Sequence, residues 1–113
     1  MRIITRNITL DELRQTASAT FGNMVKAVVD VDKEILAIDG ELHSDLEAFL
    51  IEHGSTQRFL WGINLYPELA GDDLIEFDSL INVRPSHGNR SRGVESAETR
   101  DRIARIVAMR ISR

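Results

Sequence analysis

Residues Asn82 to Arg92 read Asn-Val-Arg-Pro-Ser-His-Gly-Asn-Arg-Ser-Arg and place three guanidinium groups, two carboxamides and an imidazole in one short segment. Arginine presents a planar fork of N–H donors that clasps a phosphate or carboxylate through two hydrogen bonds. Asn89 adds amide donors, and Gly88 lets a ligand approach the backbone. Ser96 then begins a helical pattern whose first amides can also face an anion. The segment follows an apolar run and precedes that helix, a position from which loops commonly bind. The chemistry it suggests is capture of a small phosphate- or carboxylate-bearing ligand by Arg84, Asn89 and Arg90, with Asn82 and His87 beside them and His43 and Asp45 nearby on the polar sheet face. A competing account is internal: the acids of residues 28–47 neutralise Arg84, Arg90 and Arg92 and hold the loop down.

A second cluster is His43-Ser44-Asp45. On a strand, His43 and Asp45 share a face with Glu41 and Glu47, and Asp30 shares one with Asp32, because alternate residues point the same way. A histidine and a carboxylate so placed can hold a divalent ion, with Glu41, Asp30 or His87 completing the shell, and a bound metal can activate water. A metal-dependent hydrolase built on His43 and Asp45 is therefore the alternative function. The signal is weak, because any solvated strand face alternates in this way. His87 reads as a general base or as an exposed loop imidazole. Trp61 and Tyr66 could stack on a base, but large aromatics more often fill a core or an interface. That gives a third reading, a non-enzymatic interaction module or homodimer. No reaction motif fixes a cofactor.

These residues need a frame. The chain has 113 residues, 42 % hydrophobic and 28 % charged, as expected of one globular domain over residues 1–113. Aromatics make up only 5 %, so Leu, Ile, Val and Ala must fill most of the core. The absence of cysteine excludes disulfides, thiolate zinc sites and a cysteine nucleophile. The net charge of −4 is unevenly divided. Residues 1–83 carry 6 basic and 15 acidic side chains, whereas residues 84–113 carry 8 arginines and 3 acids. The basic end is expected to pack beside the acidic body. That arrangement and a pI near 5.3 argue against a nucleic-acid partner. No run approaches the ~18 apolar residues of a membrane span. No apolar signal region of roughly 7 to 15 residues follows Arg2, so a cytoplasmic protein without a membrane partner is expected.

Thr9-Leu10-Asp11-Glu12 spells a capping box, with Ile8 and Leu13 at the staple positions. Leu10, Leu13, Ala17 and Phe21 form an apolar stripe that ends at Gly22. Residues 25–38 read as a hairpin, with strands near 25–31 and 34–38, and Asp39-Gly40 supplies a further turn. Residues 41–51 fit two patterns. As a helix they offer Ser44 and Glu47 as a capping box, an apolar face of Leu46, Phe49 and Leu50, and Gly54 as a stop. As a strand they alternate, and the preceding turn favours that reading. Ser55 can cap a short helix over Thr56 to Trp61, ended by Gly62. Leu74 to Val83 reads as the last strand, and Ser96 caps a helix from Ala97 to Ile111. The order α-β-β-β-α-β-α predicts an α+β domain: a mainly antiparallel four-stranded sheet with helices on one face. The arginine loop would then sit at the margin of the opposite, polar face.

Four segments occur in a fixed order: Gly40-Glu41-Leu42-His43-Ser44-Asp45-Leu46-Glu47; Leu60-Trp61-Gly62 with Tyr66-Pro67; Ser79-Leu80-Ile81-Asn82-Val83-Arg84-Pro85; and Gly88-Asn89-Arg90-Ser91. In these the chain resembles a family of small prokaryotic domains of unknown function. The resemblance spans nearly the whole chain and implies a single-domain protein. It attaches no activity, cofactor or catalytic residue, so the functional reading rests on the residues themselves.

Overall fold

The computed structural model describes residues 1–113. Its elements, in chain order, are β1 (Arg2–Ile4), β2 (Ile8–Thr9), α1 (Leu10–Ala19), β3 (Val25–Asp30), β4 (Ile35–Ile38), α2 (His43–Glu52), β5 (Leu60–Leu65), β6 (Ile75–Glu76), α3 (Ala97–Arg110) and β7 (Ile111–Ser112). Short 3-10 turns occupy Gln57–Phe59, Gly71–Leu74, Leu80–Asn82 and Pro85–His87.

Local signals account for several of these elements. The capping box forms at α1: the Thr9 hydroxyl accepts the Glu12 amide, and the Glu12 carboxylate accepts the Thr9 amide. At α3 the Ser96 hydroxyl accepts the Thr99 amide at 3.2 Å. The β3–β4 hairpin is closed by Asp30, which is buried. Its Oδ1 accepts the amides of Asp32 and Lys33, each at 2.9 Å, and its Oδ2 accepts the Ser55 hydroxyl at 2.7 Å. Asp30 is thus a turn lock, while Asp32 lies exposed in the turn.

Five strands make one antiparallel sheet in the order β1-β4-β3-β5-β6. A separate parallel pair, β2 with β7, joins Ile8 to Ile111. Alternation along β3 sorts the core. Val25, Ala27 and Val29, followed by Val31, face α1 and α3, where Leu13, Ala17, Ile103, Ile106 and Val107 bury themselves. Val28 faces the other way, against Leu46 and Leu50 of α2 and Leu60.

The α+β class and the antiparallel sheet are as expected, with five strands in the main sheet rather than four. Helices cover both faces rather than one, because residues 43–52 form α2 and not a strand. The burial of His43, Leu46 and Leu50 follows helical spacing and supplies a second apolar stripe. Residues 60–65 are a central strand rather than the end of a helix. Gly62 does not stop it: a Cβ there would lie 2.5 Å from Ser79, so only glycine lets the 79–82 turn press against β5. The expected strand over Leu74 to Val83 shrinks to Ile75–Glu76, after which the chain leaves the sheet. Neither β1 nor the β2–β7 pair was anticipated, since segments of two or three residues carry no readable period.

Candidate functional site

Where β6 ends, side chains take over as partners of β5. Asn82 is fully buried. Its Oδ1 accepts the Gly62 amide at 2.8 Å, and its Nδ2 donates to the Gly62 carbonyl at 2.9 Å. One carboxamide thereby pairs with Gly62 as a strand peptide would. The same Nδ2 donates to the Arg92 carbonyl, also at 2.9 Å. Two residues along, Arg84 donates to the carbonyls of Leu60 at 2.5 Å and Gln57 at 2.9 Å. Its guanidinium lies 4.4 Å from the centre of the Trp61 ring, so Trp61 is a platform for an internal cation. Burial pushes the Arg84 guanidinium down from its ordinary value, opposed by the charge of Glu47. Burial likewise pushes the Glu47 carboxyl up, against the pull of Gln57 and Arg84.

Asn89 is buried as well and organises the rest of the loop. Its Nδ2 donates to the carbonyls of Asn82, Ser91 and Gly93, and its Oδ1 accepts the Glu95 amide. A two-residue ladder between Arg84 and Asn89 closes the Pro85–His87 turn, and Gly88 takes the left-handed conformation at φ +84°. The amides of Arg90 and Ser91 converge on one Glu95 carboxylate oxygen at 2.6 and 2.8 Å. Those two amides hold the Glu95 carboxyl below its ordinary value. The loop is therefore an anion nest, and its occupant is the chain's own Glu95.

Of the expected ligand-binding residues, Asn82, Arg84 and Asn89 are engaged in this scaffold. His87 and the Arg90 side chain are exposed. Arg92 pairs with Asp78 at 2.6 Å, both about half exposed. The internal account of the arginines thus holds only in part: Arg92 meets an acid outside residues 28–47, and Arg84 meets carbonyls and a ring. Tyr66 donates to Glu76 at 3.0 Å at the sheet margin.

His43 and Asp45 part company. Two positions along a helix differ by about 200° in direction, so His43 turns inward and Asp45 outward. The shared strand face on which the metal reading rested does not form, and no group of three His, Asp or Glu side chains comes close enough to hold an ion.

His43 instead joins a different set. It is the first residue of α2 and is 9 % exposed. Its Nε2 donates to the Ile63 carbonyl at 2.8 Å. A carbonyl only accepts, so the ring proton sits on Nε2 and Nδ1 carries a lone pair. Burial is the main cause that keeps this imidazole below the ordinary histidine value, with Lys26 and Arg92 acting in the same direction and the Ile63 bond and Asp78 opposing. The ring lines a depression of about 240 Å³ together with Lys26, Ser44, Ser79 and Arg92, with Leu42, Leu80 and Ile81 as its apolar walls. Nδ1 makes no hydrogen bond within the protein, and the ring that carries it lines this depression. No side chain caps α2, and the amides of His43 and Ser44 find no acceptor in the chain.

Lys26, Ser44, Ser79 and Arg92 were not among the residues expected to bind a ligand. Lys26 is opposite Asn64 on β5, and Arg92 comes from the far end of the loop, so only the folded sheet brings them to α2. The one local signal was the apolar Leu42 at the helix start, where a side-chain cap would otherwise stand. A larger concavity of about 400 Å³ lies on the opposite face, between α1, α3 and residues 67–75. Its walls are mainly apolar, and its Arg14 is paired with both Asp11 and Glu68.

No helix is long and apolar enough to cross a membrane. None of the curated proteins and none of the solved structures compared with the chain matches it. A family model described as "Protein of unknown function (DUF5674)" matches residues 2–110. With that match covering nearly its whole length, the chain belongs to the DUF5674 family.

Proposed function

We propose that this protein binds a small anionic ligand, phosphate- or carboxylate-bearing, in the depression at the start of α2. The observation that carries the reading is spare donor capacity, Arg92 giving its Nε to Asp78 and keeping its terminal N–H groups. Free amides at an uncapped helix start, the Lys26 ammonium and the Arg92 guanidinium border one cavity, beside a nine-tenths-buried histidine with an unpartnered nitrogen. A helix start attracts negative charge through its partial positive charge and its open N–H groups. The volume suits an oxyanion head group rather than a dinucleotide. Leu42 and Leu80, which are 54 % and 70 % exposed, flank the opening and can cover an apolar portion of the ligand.

The anion chemistry first suggested by the arginine loop is thereby kept, but its centre moves from Arg84 and Asn89 to Arg92, Lys26 and the α2 amides. The test is a titration of the protein with inorganic phosphate and with a sugar phosphate, followed by amide NMR. The expected result is saturable shifts centred on His43 and Ser44. Lys26→Ala should weaken binding by roughly tenfold, the scale of one charge-assisted hydrogen bond. Shifts centred on Arg90 and His87 instead, or none at millimolar ligand, would overturn the reading.

A further inference from the structure

We infer that the anion received at α2 brings a proton of its own, as a hydrogen phosphate does and a sulfate does not, and that His43 Nδ1 accepts it. This rests on the anion-binding reading above and deepens it.

Hydrogen-bond roles around the depression are unequally divided. Lys26, the amides of His43 and Ser44, and Arg92, whose Nε is already given to an Asp78 carboxylate outside the lining, can only donate. The Ser79 hydroxyl oxygen already accepts the Ile81 amide, which leaves its proton to give. Ser44 is adaptable. His43 is the exception: with its Nε2 proton committed to Ile63, Nδ1 can only accept while the ring is neutral. A fully deprotonated oxyanion filling the cavity would set an oxygen lone pair against that nitrogen. An anion with one O–H turns the same contact into a hydrogen bond. A site that pairs a ligand hydroxyl discriminates strongly against an analogue without one, because its own polar group is then left unpaired.

Inorganic phosphate retains at least one proton near neutral pH, whereas sulfate has none. A phosphate monoester is intermediate: it carries a proton only below its second pKa of about 6. The groups facing His43 are Lys26 from β3 and Asp78 and Arg92 from the segment after β6. The two cations help burial keep the ring neutral, and Asp78 works against them.

The experiment uses the wild-type chain and compares sodium phosphate with sodium sulfate at equal ionic strength, above the ordinary histidine range. The readouts are the His43 and Ser44 amides and the ring nitrogens of His43. Phosphate should bind roughly 10- to 100-fold tighter than sulfate, the span of one hydrogen bond to a charged group. The Nδ1 resonance should move with phosphate while Nε2 stays put. Lowering the pH until the imidazole takes a second proton turns Nδ1 into a donor, so sulfate binding should then rise and the preference shrink. A phosphate monoester should lose affinity as pH rises past its second pKa, while inorganic phosphate keeps more of its own. Equal affinity for phosphate and sulfate at high pH would overturn this inference and leave the anion reading standing. Absence of binding by both would overturn the two together.

Discussion

The loop of residues 84–95 and the start of α2 make an instructive pair. The loop carries more charge, yet its donors are largely answered from within: Asn89 by three carbonyls, Arg84 by two, and the amides of Arg90 and Ser91 by Glu95. The start of α2 carries less charge, yet its amides, the Lys26 ammonium, the terminal nitrogens of Arg92 and one imidazole nitrogen accept or donate no hydrogen bond within the chain, Arg92 spending only its Nε on Asp78. Unfilled hydrogen-bonding capacity, rather than the number of charges, separates a ligand site from a scaffold. The loop resembled a site because it is one in miniature, already filled by a carboxylate of the same chain.

Substitutions can break or sharpen this contrast. The largest effect is expected from Asn82→Ala, which strips Gly62 and Arg92 of buried partners; unfolding free energy in urea should fall by about 3 kcal/mol or more. A loss below about 1 kcal/mol would mean that the loop is not the scaffold described here. Gly62→Ala comes next. Its new Cβ meets Ser79, and a drop of about 1–3 kcal/mol is expected from overpacking the turn against β5. On the other side of the comparison, Lys26→Ala should change stability by no more than about 0.5 kcal/mol while weakening phosphate binding. Destabilisation as large as that of Asn82→Ala would mark Lys26 as scaffold too.

The smallest effect concerns Glu95 and acid. Its carboxyl is held below the ordinary value of 4.5, chiefly by the Arg90 amide and then by that of Ser91. A lowered carboxylate pKa contributes stability that is present above the unfolded value and is lost as pH falls through the folded one. Below pH 4.5, hydrogen-exchange protection of the Arg90 and Ser91 amides should therefore decline. The Gly62 amide, held by an Asn82 side chain that does not titrate, should keep its protection. Parallel loss at all three amides would show global unfolding rather than release of the nest.

The sequence announced much of this fold wherever a signal was local. Thr9 with Glu12 and Ser96 marked the two long-range packing helices, and the β-branched run at 25–38 marked the central hairpin. What escaped depended on distant partners. Residues 41–51 satisfy both periods, and only the apolar surface of β3 and β5 decides for the helix. Gly62 reads as a terminator until Asn82 and Ser79 are seen to pack upon it. For the candidate site, His43 and the segment holding Arg92 were legible as chemically rich. Their roles were not, because the helix turns Asp45 away and the sheet delivers Lys26.

Asn82 has a further consequence for how the molecule meets its neighbours. A strand at a sheet margin is a template that another chain can extend, and proteins must blunt it. A side-chain carboxamide matches one peptide unit and then stops, because it has no next residue to offer. By closing β5 with Asn82 and Arg84 instead of a longer β6, the protein ends its sheet with pieces that cannot be copied onward. The opposite margin, the three residues of β1, is then the more open place for self-association through strand pairing.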